Sequence, residues 1–388
     1  MIEWLARRLI RDAENVQDAR VRSAYGTLCG TVGIVLNVLL FGVKFLTGTL
    51  LGSIAMTADA FNNLSDAGSS VVTLLGFKLA RKKPDADHPF GHGRIEYISG
   101  LIVSMLILLM GFELFKSSFA KIRAPEPVAF GIAGVAVPVV AILVKFYMSA
   151  YNRRIGKKIK STAMLATATD SLSDCIATGA VLLSTVIGGL FDVTVDGYAG
   201  LVVACFILFA GYNAAKDTLA PLLGQAPEPE FVHEIESIVL EQKDIVGIHD
   251  LVVHDYGPGR VMISLHAEVP AEGDILTLHD EIDCAEEELR QTLGCEATIH
   301  MDPIVTSDPK VAALRQEVAE RVKSIDERVT IHDFRLVPGP THTNVLFDAV
   351  LPYEVALTEE EAKTEIAGIV RGIDSTYFAV VHIDRAYV

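Results

Sequence analysis

Several things are scarce in this chain, and each scarcity excludes a class of protein. The five cysteines (Cys29, Cys175, Cys205, Cys284 and Cys295) form no CxxC pair, and three lie in apolar segments. Neither a disulfide framework nor a zinc finger is indicated, and a reducing compartment is the simpler expectation for the soluble part. HExxH is missing, which argues against a zinc protease, and so is the GxxxxGK[ST] loop, which argues against an ATP-driven pump. No nucleophile–base pair stands out, so no enzyme and no cofactor is expected. No cleavable leader is expected either: the first 22 residues mix Arg7, Arg8, Arg11, Arg20 and Arg22 with acidic residues and contain no short apolar core. Residues 1–25 are expected to form a cytoplasmic N-terminal helix, either solvated or lying on a membrane through Trp4, Leu5, Leu9 and Ile10.

Positive charge is scarce in one half only. Residues 221–388 hold 33 acidic and 12 basic side chains, whereas residues 1–220 hold 16 and 21. The acidic half argues against a nucleic-acid partner. It suits a ligand environment rich in cations, or simply a domain kept soluble by its charge.

What the chain has in abundance is apolar sequence. It is 51% hydrophobic with a mean hydropathy of +0.38, more than an ordinary soluble domain carries. Six runs approach the length that spans a bilayer: 28–50, 54–79, 97–118, 127–150, 162–188 and 196–215. Lys78, Arg81, Lys82, Lys83 and Arg94 separate the second from the third, and Arg153, Arg154, Lys157, Lys158 and Lys160 the fourth from the fifth. The connections near 51 and 190 carry no Lys or Arg; the one near 120 carries Lys116, Lys121 and Arg123. The bias of basic residues to the cytoplasmic side puts both termini in the cytoplasm. The expectation is therefore an integral membrane protein, of the inner or plasma membrane if bacterial, with a six-helix domain over 26–220. Lys44 and Lys145 are read as lying towards span ends, where a long side chain snorkels. Glu96 and Glu113 are likewise near ends and receive no role.

Four carboxylates cannot be excused that way: Asp59 and Asp66 in the second run, Asp170 and Asp174 in the fifth. A charge near the bilayer centre costs at least about 2.5–3.5 kcal/mol on insertion scales. Asn62 and Asp66 are four apart, as are Asp170 and Asp174, so each pair shares one helix face. The two helices run antiparallel and both pairs fall near mid-membrane. Ala58, Ala60, Ser65 and Ala67 on one helix, with Ala166, Ala168, Ser171 and Ser173 on the other, permit close approach. Four oxygen-bearing side chains on two helices then converge on one cation, and Asp59 and Asn63 are more peripheral. The bland alternative is a polar contact within the bundle.

The run from Gly52 to Asp66 (GSIAMTADAFNNLSD), followed by His88-Pro89-Phe90-Gly91-His92-Gly93-Arg94-Ile95-Glu96, resembles the cation diffusion facilitator family, over roughly residues 20–305. The resemblance implies a homodimeric, proton-coupled exporter with six membrane helices and alternating access to a tetrahedral site, here Asn62, Asp66, Asp170 and Asp174. Zinc-specific members place a histidine at the position of Asp170. This all-oxygen set resembles the manganese-type branch, and hard oxygen ligands suit Mn²⁺ over Zn²⁺. Mn²⁺ is the expected cargo, Zn²⁺ the runner-up, with Fe²⁺ or Co²⁺ also open. Metal and proton compete for the same carboxylate oxygens, so binding one expels the other. A membrane-anchored metal sensor is the alternative of another class. The resemblance also implies a second metal site at Asp85, His88 and His92, the alternative being a turn whose histidines cap helices.

After the linker Gly224–Glu230 the pattern becomes helix (229–242), strand (246–256), strand (261–269), helix (274–293) and a strand ending at His300–Pro303. This α-β-β-α-β order matches the ferredoxin- or metallochaperone-like tail of the family, and gives a first cytoplasmic α+β domain over 227–305. Then it repeats. Ile248-His249-Asp250 recurs as Ile331-His332-Asp333, Val269-Pro270 as Leu351-Pro352, and Ile299-His300-Met301-Asp302 as Val381-His382-Ile383-Asp384. A fixed period indicates a duplicated domain over 308–388. His249, His266, His279, His300 and Asp302 fall where the family binds cytoplasmic metal. In the second copy Asp348 stands for His266 and Glu361 for His279, while His332, His382 and Asp384 remain. His233, His254 and His342 are read as surface residues.

Overall fold

The computed structural model describes residues 2–16, 18–50, 54–124, 132–191 and 196–386. It divides into two compact units, Met1–Gln225 with Asp255–Arg260, and Ala226–His254 with Val261–Val388.

The first unit is helical. A short α1 (Ile2–Leu9) precedes six long helices: α2 (Ala19–Leu50), α3 (Ile54–Ala80), α4 (Ile95–Arg123), α5 (Ile132–Lys158), α6 (Thr162–Phe191) and α7 (Asp196–Leu219). Four of them, α2, α4, α5 and α7, contain stretches long and apolar enough to cross a membrane. The other two, α3 and α6, carry Asp59 and Asp66, and Asp170 and Asp174. Leu39, Leu46, Leu143, Phe146, Val202 and Phe209 point outward and exposed, as lipid-facing residues do. Small residues bring the helices together: a Cβ on Gly100 of α4 would meet Thr218 Cγ2 at 2.8 Å and Ala163 Cα at 3.0 Å. Buried hydroxyls tie the same bundle, with Thr73 and Thr167 2.8 Å apart between α3 and α6, and Ser149 donating to the Ala168 carbonyl at 2.8 Å between α5 and α6.

The N-terminus differs from the single helix expected over 1–25. Asp12 adopts a left-handed φ of 56°, which no continuing α-helix accommodates, so α1 stops early and α2 starts at Ala19. Ile2, Ala6 and Ile10, at helical spacing, bury in one cluster with Tyr151 and Ile155 of α5 and Ile159 just after it. Trp4 and Leu9 form the outer face.

The second unit is α+β. The order α8 (Pro229–Leu240), β1 (Gly247–Asp255), β2 (Val261–Pro270), α9 (Ile275–Leu293), β3 (Glu296–Ile304) is followed by α10 (Pro309–Val322), β4 (Thr330–Pro338), β5 (Thr343–Pro352), α11 (Glu359–Arg371), β6 (Tyr377–Ala386). The strands make two three-stranded sheets, β1-β2-β3 and β4-β5-β6. Alternate residues Ile263, Leu265, Ala267 and Val269 of β2 bury under Ile235 and Val239 of α8 and Ile282, Ala285 and Leu289 of α9. Val345, Phe347, Ala349 and Leu351 of β5 do the same under Leu314, Val318 and Val322 of α10 and Ala362, Ile366 and Val370 of α11. The parallel registers correspond too, His266 opposite His300 and Asp348 opposite His382. Asp250 and Asp333, each just after a strand histidine, both sit at φ 53°, and the β4–β5 register slips there, between His332 and Arg335. Such a bulge re-aims the neighbouring side chain.

Candidate metal centres

Of the residues expected to hold the transported cation, α3 supplies Asn62 and Asp66, and α6 supplies Asp170 and Asp174. Asp66 and Asp170 are buried, 5% and 3% exposed. Asn62, Asn63, Asp66 and Asp174 line a cavity of about 470 Å³ that also touches Glu113 of α4 and Pro138 of α5. The side chain of Asp59 lies outside the described residues.

At the centre of this cluster is a residue that the sequence reading misplaced. Lys145 does not snorkel. It is 4% exposed, and its Nζ donates to Asp66 Oδ2 at 2.7 Å and to Asp174 Oδ2 at 2.6 Å. The cause is the length of its helix. The apolar run ends near 150, which puts Lys145 near an end, but α5 continues to Lys158 and Lys145 is its midpoint. Lys44 is buried as well, 3% exposed, and lines the same cavity. The signal was present: an ionisable residue inside an apolar run is a functional candidate by default.

Asp66 and Asp174 are thus brought together on one ammonium. Asp170 is not bonded to it, and its Oδ1 is buried without a hydrogen-bond partner, an acceptor left for a cation or water. Asn62 is exposed to the cavity. Among the described residues, the donor clusters whose atoms all lie within 4.8 Å of one another fall outside these helices.

One such cluster is Asp85, His88 and His92, between α3 and α4. Asp85 Oδ1 lies 3.3 Å from His88 Nδ1 and Asp85 Oδ2 3.5 Å from His92 Nε2. Gly91, at φ +86°, makes the turn that a side chain would resist, so the histidines meet across a loop and not along a helix. Lys82 donates to Asp85 at 2.6 Å and holds that carboxyl well below the usual carboxylate range. His92 Nδ1 is buried without a partner.

In the α+β unit, His249, His266 and Asp302 form another cluster. Asp302 Oδ2 accepts from His266 Nδ1 at 2.9 Å and lies 3.3 Å from His249 Nε2. His300 Nε2 approaches the other oxygen of Asp302 at 3.4 Å. His279 does not join them. It sits on the exposed face of α9, 3.3 Å from Asp283 one turn on, because α9 turns that position outward while Leu278 and Ile282 take the core side. Glu361, its counterpart, closes the capping box of α11 with Thr358.

Two family models match this chain. The cation efflux transmembrane domain matches residues 30–223, half of the chain. The chain belongs to the cation efflux, or cation diffusion facilitator, family. The cytoplasmic domain of cation efflux proteins matches residues 227–304. Among similar proteins, a transporter of Methanocaldococcus jannaschii named as uncharacterised is 29% identical over 272 residues, covering 70% of this chain and 96% of that protein. The manganese efflux system protein MneS of Bacillus subtilis is 27% identical over 281 residues, 70% of this chain and 94% of MneS. The cation-efflux pump FieF of Escherichia coli is 27% identical over 287 residues, 73% of this chain and 95% of FieF. This member of the cation efflux family is therefore an integral membrane cation transporter with a C-terminal α+β unit.

Proposed function

We propose that the chain is a proton-coupled antiporter that exports divalent cations, Mn²⁺ foremost, by alternating access of a site made by Asn62 and Asp66 of α3 with Asp170 and Asp174 of α6. One observation carries this reading: Asp66 and Asp174, from two different helices, close on a single positive nitrogen at 2.7 and 2.6 Å in the middle of the bundle. Carboxylates so arranged serve a cation. Lys145 holds the place that a metal would take, so it has to release at least one carboxylate before a divalent ion engages both. Metal entry and ammonium withdrawal are then one event, and metal departure lets the lysine return.

In this reading all six long helices span the bilayer, α3 and α6 included. At about 1.5 Å rise per residue, their 27 and 30 residues exceed the roughly 30 Å apolar thickness. Both termini face the cytoplasm, two copies form the working unit, and no nucleic acid or resident cofactor takes part. Asp85, His88 and His92 are a second metal site. His249, His266, His300 and Asp302 are a third, without His279.

Mn²⁺ is favoured by the all-oxygen donor set and by the similarity to MneS, whose name specifies manganese efflux. Zn²⁺ is the runner-up, because the imidazoles of the loop and tail clusters suit it. Flux into proteoliposomes across an imposed pH gradient tests the reading. Mn²⁺ should move, at a rate that follows the gradient. Movement of Zn²⁺ without Mn²⁺ would overturn the metal assignment, indifference to the gradient would overturn proton coupling, and metal binding without flux would make the chain a sensor.

A further inference from the structure

The two halves of the α+β unit meet through residues that are each other's counterparts. His249 and His332, 83 positions apart in the duplicated pattern, stack ring on ring with centroids 4.1 Å apart and planes 22° from parallel. Contact between equivalent residues is the mark of a two-fold relation, where patch i meets patch i. Here the relation lies within one chain. The seam is further fixed by Glu268 of β2, 1% exposed, which accepts from Arg315 of α10 at 2.8 Å and from the Asp333 backbone N–H at 3.1 Å.

The seam is poor in what a buried contact normally holds. His332 is 6% exposed, and neither of its ring nitrogens has a hydrogen-bond partner. The nearest carboxylates to its Nε2 are Asp384 at 3.5 Å and Asp250 at 4.0 Å. A buried polar group left unmet is costly, so such a group calls for a partner, an ion or water among them. Asp348 completes a triad with His332 and Asp384 in which donor atoms all lie within 4.8 Å of one another, and His249, Asp250 and His332 form a second such triad. The arginines nearby are engaged elsewhere. Arg315 serves Glu268, Arg335 is held by Asp333, and Arg385 donates to the backbone carbonyls of Pro352, Val355 and Leu357. The carboxylates of Asp250, Asp348 and Asp384 form no ion pair with Lys or Arg among the described residues, and all three line a cavity of about 670 Å³ with His249 and His332.

We infer that the seam between the two copies is a divalent transition-metal site, with His332, Asp348 and Asp384 as its ligands and Asp250 and His249 of the first copy at its edge. It is distinct from the first-copy cluster on Asp302, and it uses the second copy where a lone tail domain has none. An imidazole and two carboxylates are borderline-to-hard donors that suit Mn²⁺, Fe²⁺, Co²⁺ or Zn²⁺. Because Asp250 and His249 of the first copy face His332 of the second, a bound ion sits against both copies and braces their junction. Metal in the tail thereby becomes rigidity at the seam.

The test uses the full chain in detergent, in an Asp66→Asn, Asp170→Asn, Asp174→Asn background that removes the transport ligands, with Co²⁺ as probe. Equilibrium dialysis counts the bound ions, and the visible Co²⁺ spectrum reports their coordination. His332→Ala should remove one bound Co²⁺ or weaken it more than about tenfold, the range typical of losing a metal-supporting group. Asp384→Asn, isosteric and partly exposed, should do the same while keeping the unfolding temperature measured with chelator. The exposed control His342→Ala should change nothing. If both seam variants keep the full count and spectrum while His266→Ala loses an ion, the metal belongs to the first copy alone and the seam site is overturned. If the background protein binds no Co²⁺ beyond the Asp85 loop, the seam and the first-copy site both fall.

Discussion

The membrane cluster and the tail cluster are opposites in one respect. Between α3 and α6 the acidic groups already hold a cation: Lys145 satisfies Asp66 and Asp174 at hydrogen-bond distance. At the seam of the tail the acidic groups face an imidazole with no hydrogen-bond partner on either nitrogen. In the proposed transport site the first arrangement would make an incoming metal compete with a tethered charge, which weakens binding and lets the ion leave. The second offers donors with nothing to displace. A transporter needs the former in its path and a sensor or brace needs the latter outside it, so on the proposed reading the contrast separates passage from retention within one chain.

The largest effect should come from removing a carboxylate in the path. Asp174→Ala deletes a proposed ligand and leaves Lys145 on Asp66 alone. Mn²⁺ flux in proteoliposomes should fall to background, while the tail retains its Co²⁺. Residual flux above a tenth of wild type would break the contrast, because the cluster would then not lie on the path.

Next is the competitor itself. Lys145→Met keeps most of the volume and removes the charge. Mn²⁺ affinity, measured by calorimetry, should rise at least about tenfold, equivalent to about 1.4 kcal/mol, and turnover should fall as release slows. The metal-free protein should lose stability, since two buried carboxylates are left without their partner, and metal should restore it. An unchanged or weaker affinity would show that Lys145 is scaffolding and not a competitor. A smaller shift is expected from Asp170→His, which places an imidazole among the oxygens and should move selectivity towards Zn²⁺ over Mn²⁺ by several-fold in competition flux; unchanged selectivity counts against Asp170 as a ligand.

Much of this was legible in the chain. The i, i+4 spacing of Asn62–Asp66 and Asp170–Asp174 is visible because helix geometry is local, and the recurrence of Ile-His-Asp at 248 and 331 is visible because duplication leaves a period. What was not legible is where one local pattern meets another. Lys145 was misjudged because the helix read as ending near 150 continues for eight more residues to Lys158: the polar, basic stretch Asn152 to Lys158 looks like a connector and folds as helix. The stacking of His249 on His332 depends on how two copies dock, which no spacing encodes. His279 was assigned from the family resemblance, whereas the face of α9 that packs on the sheet turns it outward beside Asp283, away from the Asp302 cluster.

The smallest predicted effect sharpens the comparison at its weak end. Asp85 in the loop also holds a lysine, Lys82, at 2.6 Å, so it shares the chemistry of Asp66 with Lys145 but not its setting. Both loop partners are substantially exposed, and exposed ion pairs are screened and contribute only about 0–1 kcal/mol. The hydrogen bond from Lys82 keeps Asp85 below the usual carboxylate range, so the carboxylate is ionised at neutral pH with or without it, and a metal bound with His88 and His92 loses only a solvated competitor. Lys82→Ala should therefore tighten loop-site Co²⁺ by no more than about fivefold, read in the transport-ligand triple-Asn background, against at least about tenfold for Mn²⁺ with Lys145→Met. Equal gains in the two would mean that burial does not set the strength of the competitor, and the distinction between a charge in the path and a charge at the surface would collapse.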